Sequence, residues 1–359
     1  MCGIAGFVND MPIDVKCPVL QRMTDMIAHR GPDSEGHYID EHAALGHRRL
    51  SIIDLGGGQQ PIYNEDGSKV ITFNGEIYNY QTLREELIAA GHTFTTKSDT
   101  EVLLHGYEQW GVDLLQRVRG MFTFVIWDKN KQELFGARDH FGIKPFYYAK
   151  MNGTFMYASE IKSLLRHPDF VKELNAEALK PYMTFQYPAI GETFFKGVYK
   201  LPEGHYFTYR DGKMDIHRYY DEDFREGKQK LGELVNSIDQ TVCDSVKAHQ
   251  IADVEVGSFL SSGVDSSYVA AVARPQHTYS IGFGKGTYNE SQQAGELAEL
   301  LKLNNTAESL TDEEAFAAFP RIQWHLDEPD SNPSCVPLYF LSALAAKDVK
   351  VVLSGEGAD

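Results

Sequence analysis

The segment Met1-Cys2-Gly3-Ile4-Ala5-Gly6 opens the chain and places a cysteine second. Removal of Met1 would give Cys2 both a thiol and a free α-amino group. The pKa of a free thiol is about 8.5 and that of an α-amine about 7.7–8.0, so the amine can take the thiol proton near neutral pH. A nucleophile and its base would then stand in one residue, as acyl transfer requires. Taken alone, a cysteine at this position is more often a chance residue on a frayed terminus.

Composition narrows the class of protein. The 359 residues favour two domains, and Asp plus Glu number 51 against 34 Lys plus Arg, a net charge of −17. Such an acidic chain is expected to repel nucleic acid and anionic membranes. The four cysteines have no CxxC spacing, which predicts a reducing, cytoplasmic setting without a disulfide framework. We recognise no signal peptide and no apolar run long enough to span a bilayer. The sequence also has no HExxH pair, so no zinc site is predicted.

The pattern of predicted secondary structure changes once along the chain. Up to residue 218 it reads as mixed helix and strand with hairpins, of which Asn152-Gly153 between two aromatic runs is the clearest. Residues 219–230 are polar and charged, which predicts a linker between domains 2–218 and 231–359. After the linker, strands and helices alternate, which predicts a parallel sheet covered by helices. The expected strands are 254–260, 279–283 and 349–353, and the expected helices are 266–273, 290–301, 312–324 and 338–346.

Three segments could join Cys2 in a site for acyl transfer. Arg49 stands at the mouth of an apolar stretch and could hold a carboxylate with both arms of its guanidinium. Asn74-Gly75 follows the expected strand 70–73, and a side-chain amide with a backbone N–H could form an oxyanion hole there. Asp99 begins a helix and could hold an ammonium group. Each has a plain alternative as a surface cation, a turn or a helix cap.

Together these segments resemble the class II, or N-terminal nucleophile, glutamine amidotransferase domain. The match runs through MCGIAG (1–6), HRGPD (29–33), RRLSIID (48–54), FNGEIYN (73–79), SDTE (98–101), RDHFGIKP (138–145) and ASEIK (158–162). The resemblance implies an αββα sandwich that releases ammonia and glutamate from glutamine. It implies Cys2 as the nucleophile and Asn74 and Gly75 as the oxyanion donors. It further implies a glutamine pocket formed by Arg49, Leu50, Ser51, Ile52, Ile53, Asn74, Gly75, Glu76 and Asp99.

A second candidate site lies in the later domain. The run Leu260-Ser261-Ser262-Gly263-Val264-Asp265-Ser266-Ser267 follows an expected strand and opens a helix, where small residues and a helix N-terminus favour phosphate. It is neither a Walker loop nor GxGxxG, and an ordinary capped Ser/Gly loop is the alternative. It resembles the SGGxDS loop of the PP-loop ATP pyrophosphatases, with Ser262 in place of a glycine. Serine there would tolerate a positive φ less well.

The segment Leu353–Asp359 is similar to the SGEGxDE signature of asparagine synthetases without its final Glu, and we expect a truncated chain. The resemblance implies aspartate, glutamine and ATP as substrates, with β-aspartyl-AMP as intermediate. Ser261, Gly263, Ser266 and Ser267 would hold pyrophosphate, and Leu260, Ile281, Ser354 and Gly355 would frame the nucleotide. Glu356 would assist catalysis, while Asp265 and Asp359 would hold Mg²⁺. The resemblance is also compatible with a homodimer.

Two other functions stay open. Related amide-forming enzymes, such as β-lactam synthetases, peptide cyclases or sugar amidotransferases, use the same scaffold, and a sugar amidotransferase would keep Cys2, Arg49, Asn74 and Asp99. A non-catalytic regulatory chain, or one that only hydrolyses glutamine, is the other alternative. No residue identified from the sequence alone is specific for aspartate.

Overall fold

The computed structural model describes residues 1–283, 290–330 and 332–357. The chain divides into two compact units, Met1–Asp223 and Phe224–Asp359. Between the last strand of the first unit, which ends at Arg218, and the helix that begins at Leu231, the structure has no helix or strand. None of the described helices is both long enough and apolar enough to cross a membrane.

The first unit contains two antiparallel six-stranded sheets. Their strand orders are β10-β8-β9-β1-β3-β2 and β12-β11-β7-β6-β5-β4. The strands are β1 (Gly3–Val8), β2 (Ser34–Ile39), β3 (Ala43–Arg49), β4 (Ile62–Tyr63), β5 (Lys69–Ile77), β6 (Gly120–Asp128), β7 (Glu133–Arg138), β8 (Tyr147–Met151), β9 (Thr154–Ala158), β10 (Val198–Lys200), β11 (His205–Arg210) and β12 (Lys213–Arg218).

Helices cover the outer face of each sheet. They are α1 (Ile13–Asp25), α2 (Tyr80–Ala89), α3 (Asp99–Trp110) and α4 (Ile161–Leu164). A further helix, α5 (Leu179–Phe185), has no buried residue, and 3-10 turns lie at Gly111–Gln116 and Ala176–Ala178. Three apolar cores separate the layers. One lies between the sheets, a second packs α1 and α4 on the sheet that contains β1, and a third packs α2 and α3 on the sheet that contains β5. The predicted αββα arrangement is confirmed.

Burial on both faces explains the sequence of the central strands. In β6 the run from Phe122 to Asp128 is buried at every position, because one face meets the other sheet and the opposite face meets helices. The hairpin at Asn152-Gly153 is also confirmed: φ is +50° and +83° at the two turn residues, and Met151 pairs with Thr154. Positive φ at both positions is what a type I′ turn requires.

The second unit contains a four-stranded parallel sheet in the order β15-β14-β13-β16. Its strands are β13 (Val256–Phe259), β14 (His277–Phe283), β15 (Asn304–Leu310) and β16 (Val351–Leu353). Its helices are α6 (Leu231–His249), α7 (Val264–Ala273), α8 (Glu290–Leu301), α9 (Asp312–Leu326) and α10 (Cys335–Ala345). The predicted parallel sheet with alternating helices is confirmed.

Strand β15 has no counterpart among the expected strands. Its sequence, Asn-Asn-Thr-Ala-Glu-Ser-Leu, has few of the β-branched and aromatic residues typical of strands, and all but two of its side chains are exposed. It lies at the edge of the sheet and pairs with β14 along its whole length. Backbone pairing to β14 along its whole length, and not side-chain burial, therefore makes this segment a strand.

Candidate active sites

Cys2 lies beside the end of β3 because of strand register. Gly3 pairs with Arg48 across β1 and β3, so the residue before Gly3 meets the residues after Arg48. The Cys2 Sγ accepts a hydrogen bond from the Leu50 N–H at 3.4 Å, and the thiol lies 3.6 Å from the Leu50 carbonyl oxygen. Burial raises the pKa of this thiol, and the Leu50 backbone opposes that shift. A base is therefore needed to generate the thiolate near neutral pH.

Asn74 and Gly75 lie inside β5, and the expectation that the strand stops at Phe73 is wrong. The strand continues to Ile77 because Gly75 and its neighbours keep pairing with β6. A Cβ at Gly75 would collide with the β6 backbone, so the close approach of the two strands requires glycine. The Asn74 side chain is 1% exposed, and neither its Nδ2 nor its Oδ1 has a hydrogen-bond partner in the described part of the chain. A buried amide without partners is available to a bound molecule.

The guanidinium of Arg49 lies under the loop that follows β3. Arg49 is 6% exposed, and its Nη2 donates to the carbonyl oxygens of Ile53 at 3.1 Å and Asp54 at 2.7 Å. A Cβ at Gly58 would lie 2.7 Å from that Nη2 and 3.2 Å from the Ser98 Cβ. The cation therefore lies near the start of α3, where its orientation is fixed by backbone carbonyls.

The residues from Leu50 to Ile53 form that loop. Ser51 donates its N–H to the Asp33 carboxylate at 2.8 Å, while Ile52 and Leu50 are partly buried and Ile53 is buried. The loop thus contacts both Cys2, through Leu50, and Arg49, through Ile53. The structure brings these predicted pocket residues together.

Two acidic side chains complete the same region. Asp99 is buried at the first turn of α3, and its Oδ2 accepts the Ile77 N–H at 2.9 Å, which fixes α3 against the end of β5. Burial raises the pKa of Asp99 to about 6. Burial, followed by the charge of Asp99, raises the pKa of Glu76 well above its usual range. The helix cap is a different residue, Ser98, which accepts the Thr100 N–H at 3.2 Å. A cationic group bound here would lie near two carboxylates whose negative charge is not fully compensated by the protein.

Sequence reasoning missed the residues that hold the backbone of Cys2. Arg30 donates from Nε to the Cys2 carbonyl oxygen and from Nη1 to Glu160, each at 3.0 Å. Glu160 also accepts from His29 at 2.9 Å and from Lys162 at 2.5 Å, and these hydrogen bonds and charges lower its pKa to about 2 against the opposing effect of burial. The sequence did indicate these residues, because the segments 29–33 and 158–162 both match the amidotransferase domain. Neither segment had been given a role in the site.

The second site lies at the carboxyl ends of β13, β14 and β16, where ligands of parallel sheets usually bind. Leu260 to Gly263 connect β13 to α7 as expected. Within this loop Ser261 Oγ and Ser266 Oγ lie 2.8 Å apart, Gly263 donates its N–H to Ser261 Oγ at 3.1 Å, and Ser267 Oγ donates to the Gly263 carbonyl at 2.6 Å. Four predicted phosphate ligands are thus close together at a helix N-terminus.

The backbone at Ser262 does not have the positive φ that serine would tolerate less well than glycine. The next residue, Gly263, has φ of −69° and ψ of 152°. Both values are open to any L-residue. Serine therefore replaces glycine at this position without backbone strain.

The segment after β16 meets the same loop. A Cβ on Gly355 would lie 2.5 Å from the Ser266 nitrogen and 2.8 Å from the Asp265 Cβ, so the two backbones are in close contact. Leu260 is buried beside β14, and Ile281 lies on that strand. Glu356 donates its N–H to Ser354 Oγ at 3.3 Å. Asp359, the second expected Mg²⁺ ligand, lies outside the described residues.

Comparisons with known proteins give a family for each part of the chain. Residues 1–220 match the glutamine amidotransferase domain family, and residues 237–359 match the asparagine synthase family. Asparagine synthetase [glutamine-hydrolyzing] 1 of Bacillus subtilis is 44% identical over all of this chain, which covers 58% of that relative. A putative asparagine synthetase [glutamine-hydrolyzing] of Mycobacterium bovis is 39% identical over all of this chain, which covers 59% of that relative. A putative asparagine synthetase [glutamine-hydrolyzing] 2 of Methanocaldococcus jannaschii is 34% identical over all of this chain, with 74% of the relative covered. The chain therefore spans about three fifths of the first two relatives.

Proposed function

The chain belongs to the glutamine-hydrolysing asparagine synthetase family, and from this premise we propose that its protein makes L-asparagine from L-aspartate and ATP with glutamine as nitrogen donor. The proposal assigns glutamine hydrolysis to the first unit and adenylation of aspartate to the second. The observation that carries it is the Asn74 carboxamide on β5, which is buried without a partner among the described residues. Strand β5 packs face to face on β1 and β3 of the other sheet, the strands whose ends place Cys2 and Arg49.

In the first step the Cys2 amine takes the thiol proton. The thiolate forms a bond to the side-chain amide carbon of glutamine, and the negative charge that develops on the amide oxygen is stabilised by Asn74 Nδ2 and the Gly75 N–H. The proton passes to the leaving nitrogen, so the C–N bond breaks and ammonia departs. Water then cleaves the thioester, which returns the thiol and releases glutamate.

Substrate placement uses the charges of the pocket. Arg49, with Nη2 fixed by two carbonyls, presents its remaining N–H groups to the glutamine α-carboxylate. Asp99 and Glu76 receive the α-ammonium, and its positive charge favours their ionised forms. The loop Leu50–Ile53 completes the pocket around the side chain.

In the second unit, we assign pyrophosphate binding to Ser261, Gly263, Ser266 and Ser267, because their hydroxyl and N–H groups gather at the start of α7. Leu260, Ile281, Ser354 and Gly355 would contact the nucleotide, and Glu356 would assist attack of ammonia on the adenylate.

A magnesium ion fits the same loop by its chemistry. Asp265 supplies a carboxylate in the first turn of α7, directly beside Gly355, and one or two carboxylates plus phosphate oxygens are a usual Mg²⁺ environment. Asp265 would hold the ion, with Asp359 as the second expected ligand, and the ion would neutralise charge on the phosphates of bound ATP.

Cys2→Ala in the natural full-length protein tests the assignment. Glutamine hydrolysis should vanish, whereas asparagine formation from aspartate, ATP and ammonium chloride should persist, because the adenylation groups lie in the other unit. Asparagine, AMP and pyrophosphate are measured together, and mass spectrometry establishes whether Met1 is removed. Glutaminase activity in pure Cys2→Ala protein, or active wild-type protein that retains Met1, would overturn the first assignment. Product amides from sugar acids in place of asparagine would overturn the second.

A further inference from the structure

A buried cation of the first unit has no role in the reaction proposed above. Lys144 is 3% exposed, and its Nζ lies 3.0 Å from the Sδ of Met1. A thioether is a weak acceptor and carries no charge, so it does not compensate a buried ammonium. Removal of Met1, which the proposed function requires, would take this contact away and leave the ammonium facing the Cys2 amine.

The surrounding loop fixes Lys144 through its backbone. The Arg138 guanidinium, itself buried, donates to the carbonyl oxygens of Lys144 at 2.8 Å and Gly142 at 2.6 Å. The fully buried Asp139 carboxylate accepts the N–H groups of Ile143 and Lys144, each at 2.9 Å. Gly142 has φ of +66°, and a Cβ there would lie 2.9 Å from the guanidinium carbon. The segment 138–145 therefore fixes the backbone from which the Lys144 side chain extends.

Charged groups from several elements face this ammonium. The amino terminus and the Cys2 thiol approach from the segment before β1, Arg30 from the loop after α1, and Glu76 from β5. Asp139 adds a negative charge from the same loop as Lys144. Burial, with a contribution from Arg30 against Glu76 and Asp139, lowers the pKa of Lys144 to about 8. The side chain is consequently a cation at neutral pH and loses its charge above that value.

The same charges act on the amine. Burial lowers the pKa of the present α-amino group, at Met1, to about 5, with Cys2 opposing and with Arg30 and Lys144 adding to the decrease. After processing, the amine of Cys2 would lie one residue further along the same segment. A nearby positive charge disfavours a second ammonium and favours a thiolate.

We propose that Lys144 is a positioning residue for the Cys2 terminus, where its ammonium keeps the α-amine in the unprotonated form that acts as the base and stabilises the thiolate. This inference rests on the proposed function of Cys2. The charge of Lys144 would set the lower pH limit of glutamine hydrolysis. The segment 138–145 would thereby have a role in that reaction.

Lys144→Met, which removes the charge and keeps an unbranched side chain, tests the inference beside Lys144→Arg, which keeps the charge. The kcat/KM for glutamine hydrolysis is measured from pH 5.5 to 9.5. In Lys144→Met the acid limb should move up by about one pH unit, so that activity at pH 6 falls about tenfold. Wild type and variant should converge above about pH 9, where Lys144 is neutral. Lys144→Arg should keep the wild-type acid limb.

Lys16→Met is the matched control. Lys16 is also a fully buried lysine, on α1, and its Nζ donates to the carbonyl oxygens of Asp40 and Glu41. Loss of a buried ammonium there should alter stability and leave the acid limb in place. An equal shift of the limb in Lys16→Met, or an unshifted limb in folded Lys144→Met, would overturn the inference while the function of Cys2 stands.

The pH dependence of Cys2 alkylation by iodoacetamide, measured by mass spectrometry, is a second readout that needs no glutaminase activity. Its midpoint should also rise by about one unit in Lys144→Met and return in Lys144→Arg. If wild-type protein fails to hydrolyse glutamine, the proposed function fails. The alkylation midpoint then still decides whether Lys144 acts on Cys2, and an unchanged midpoint overturns the inference.

Discussion

Replacement of Asn74 by alanine should separate activity from stability. The side chain is 1% exposed, and both polar atoms lack partners among the described residues, so the folded protein loses no hydrogen bond of its own. The activity loss should be large, because removal of one preorganised oxyanion donor lowers kcat by about 10²–10³, or roughly 3–4 kcal/mol. KM for glutamine should change little, since the donor acts mainly on the transition state.

Two opposing effects set the change in stability. Buried polar atoms without partners destabilise a fold by about 1–3 kcal/mol, and alanine removes them. The space that the carboxamide leaves costs a similar amount, by analogy with large-to-small substitutions in cores. The free energy of unfolding should therefore stay within about 1 kcal/mol of wild type, as measured by urea denaturation.

Thr72→Val is the matched control for Asn74→Ala. Thr72 lies two residues earlier on the same face of β5 and is fully buried. Valine has nearly the same shape, so the variant should stay within about 1 kcal/mol of wild type in stability and keep kcat within about twofold. A folded Asn74→Ala protein with kcat within twofold of wild type would refute the oxyanion role. A loss of more than about 3 kcal/mol in stability would show instead that the carboxamide is structural.

Three further predictions concern Arg49, the close approach of Gly355 to the loop before α7, and the buried side chain of His105. Arg49→Lys keeps the charge and loses the planar fork, so kcat/KM for glutamine should fall by on the order of 2–4 kcal/mol, and an unchanged value would leave Arg49 without a substrate contact. Gly355→Ala should abolish ATP–pyrophosphate exchange and spare glutamine hydrolysis, because its Cβ would lie 2.5 Å from the Ser266 nitrogen, and normal exchange would contradict this close approach. Burial opposes charge on His105, but hydrogen bonds to Glu101 and Glu108 raise its pKa to about 9, above the unfolded value of about 6.5. This contribution to stability, on the order of 2–3 kcal/mol, should be complete below pH 6.5 and lost as the pH rises through 9, and urea unfolding of His105→Gln should lack that dependence.

Local sequence predicted the elements whose signals are local. The Asn152-Gly153 turn needs positive φ at two adjacent residues, and the helix Glu290–Leu301 has the bounds that its periodicity indicated. The end of β5 was misjudged because Asn-Gly usually marks a turn. Only pairing with β6 shows that Gly75 is there for close approach of two strands, and only pairing with β14 makes a strand of the polar segment 304–310.

By itself the sequence determined the chemical types in each site, namely a thiol next to a terminus, a guanidinium, a side-chain amide, two carboxylates and a Ser/Gly loop between a strand and a helix. These follow from residue identity and short spacing. The tertiary structure alone decided which of them meet. Cys2 meets Leu50 because Gly3 pairs with Arg48, and Arg30 and Lys144 reach the same terminus from positions about 28 and 142 residues further along the chain. Electrostatic interaction and hydrogen bonding depend on distance in space, and sequence separation carries no information about that distance until strand register is fixed.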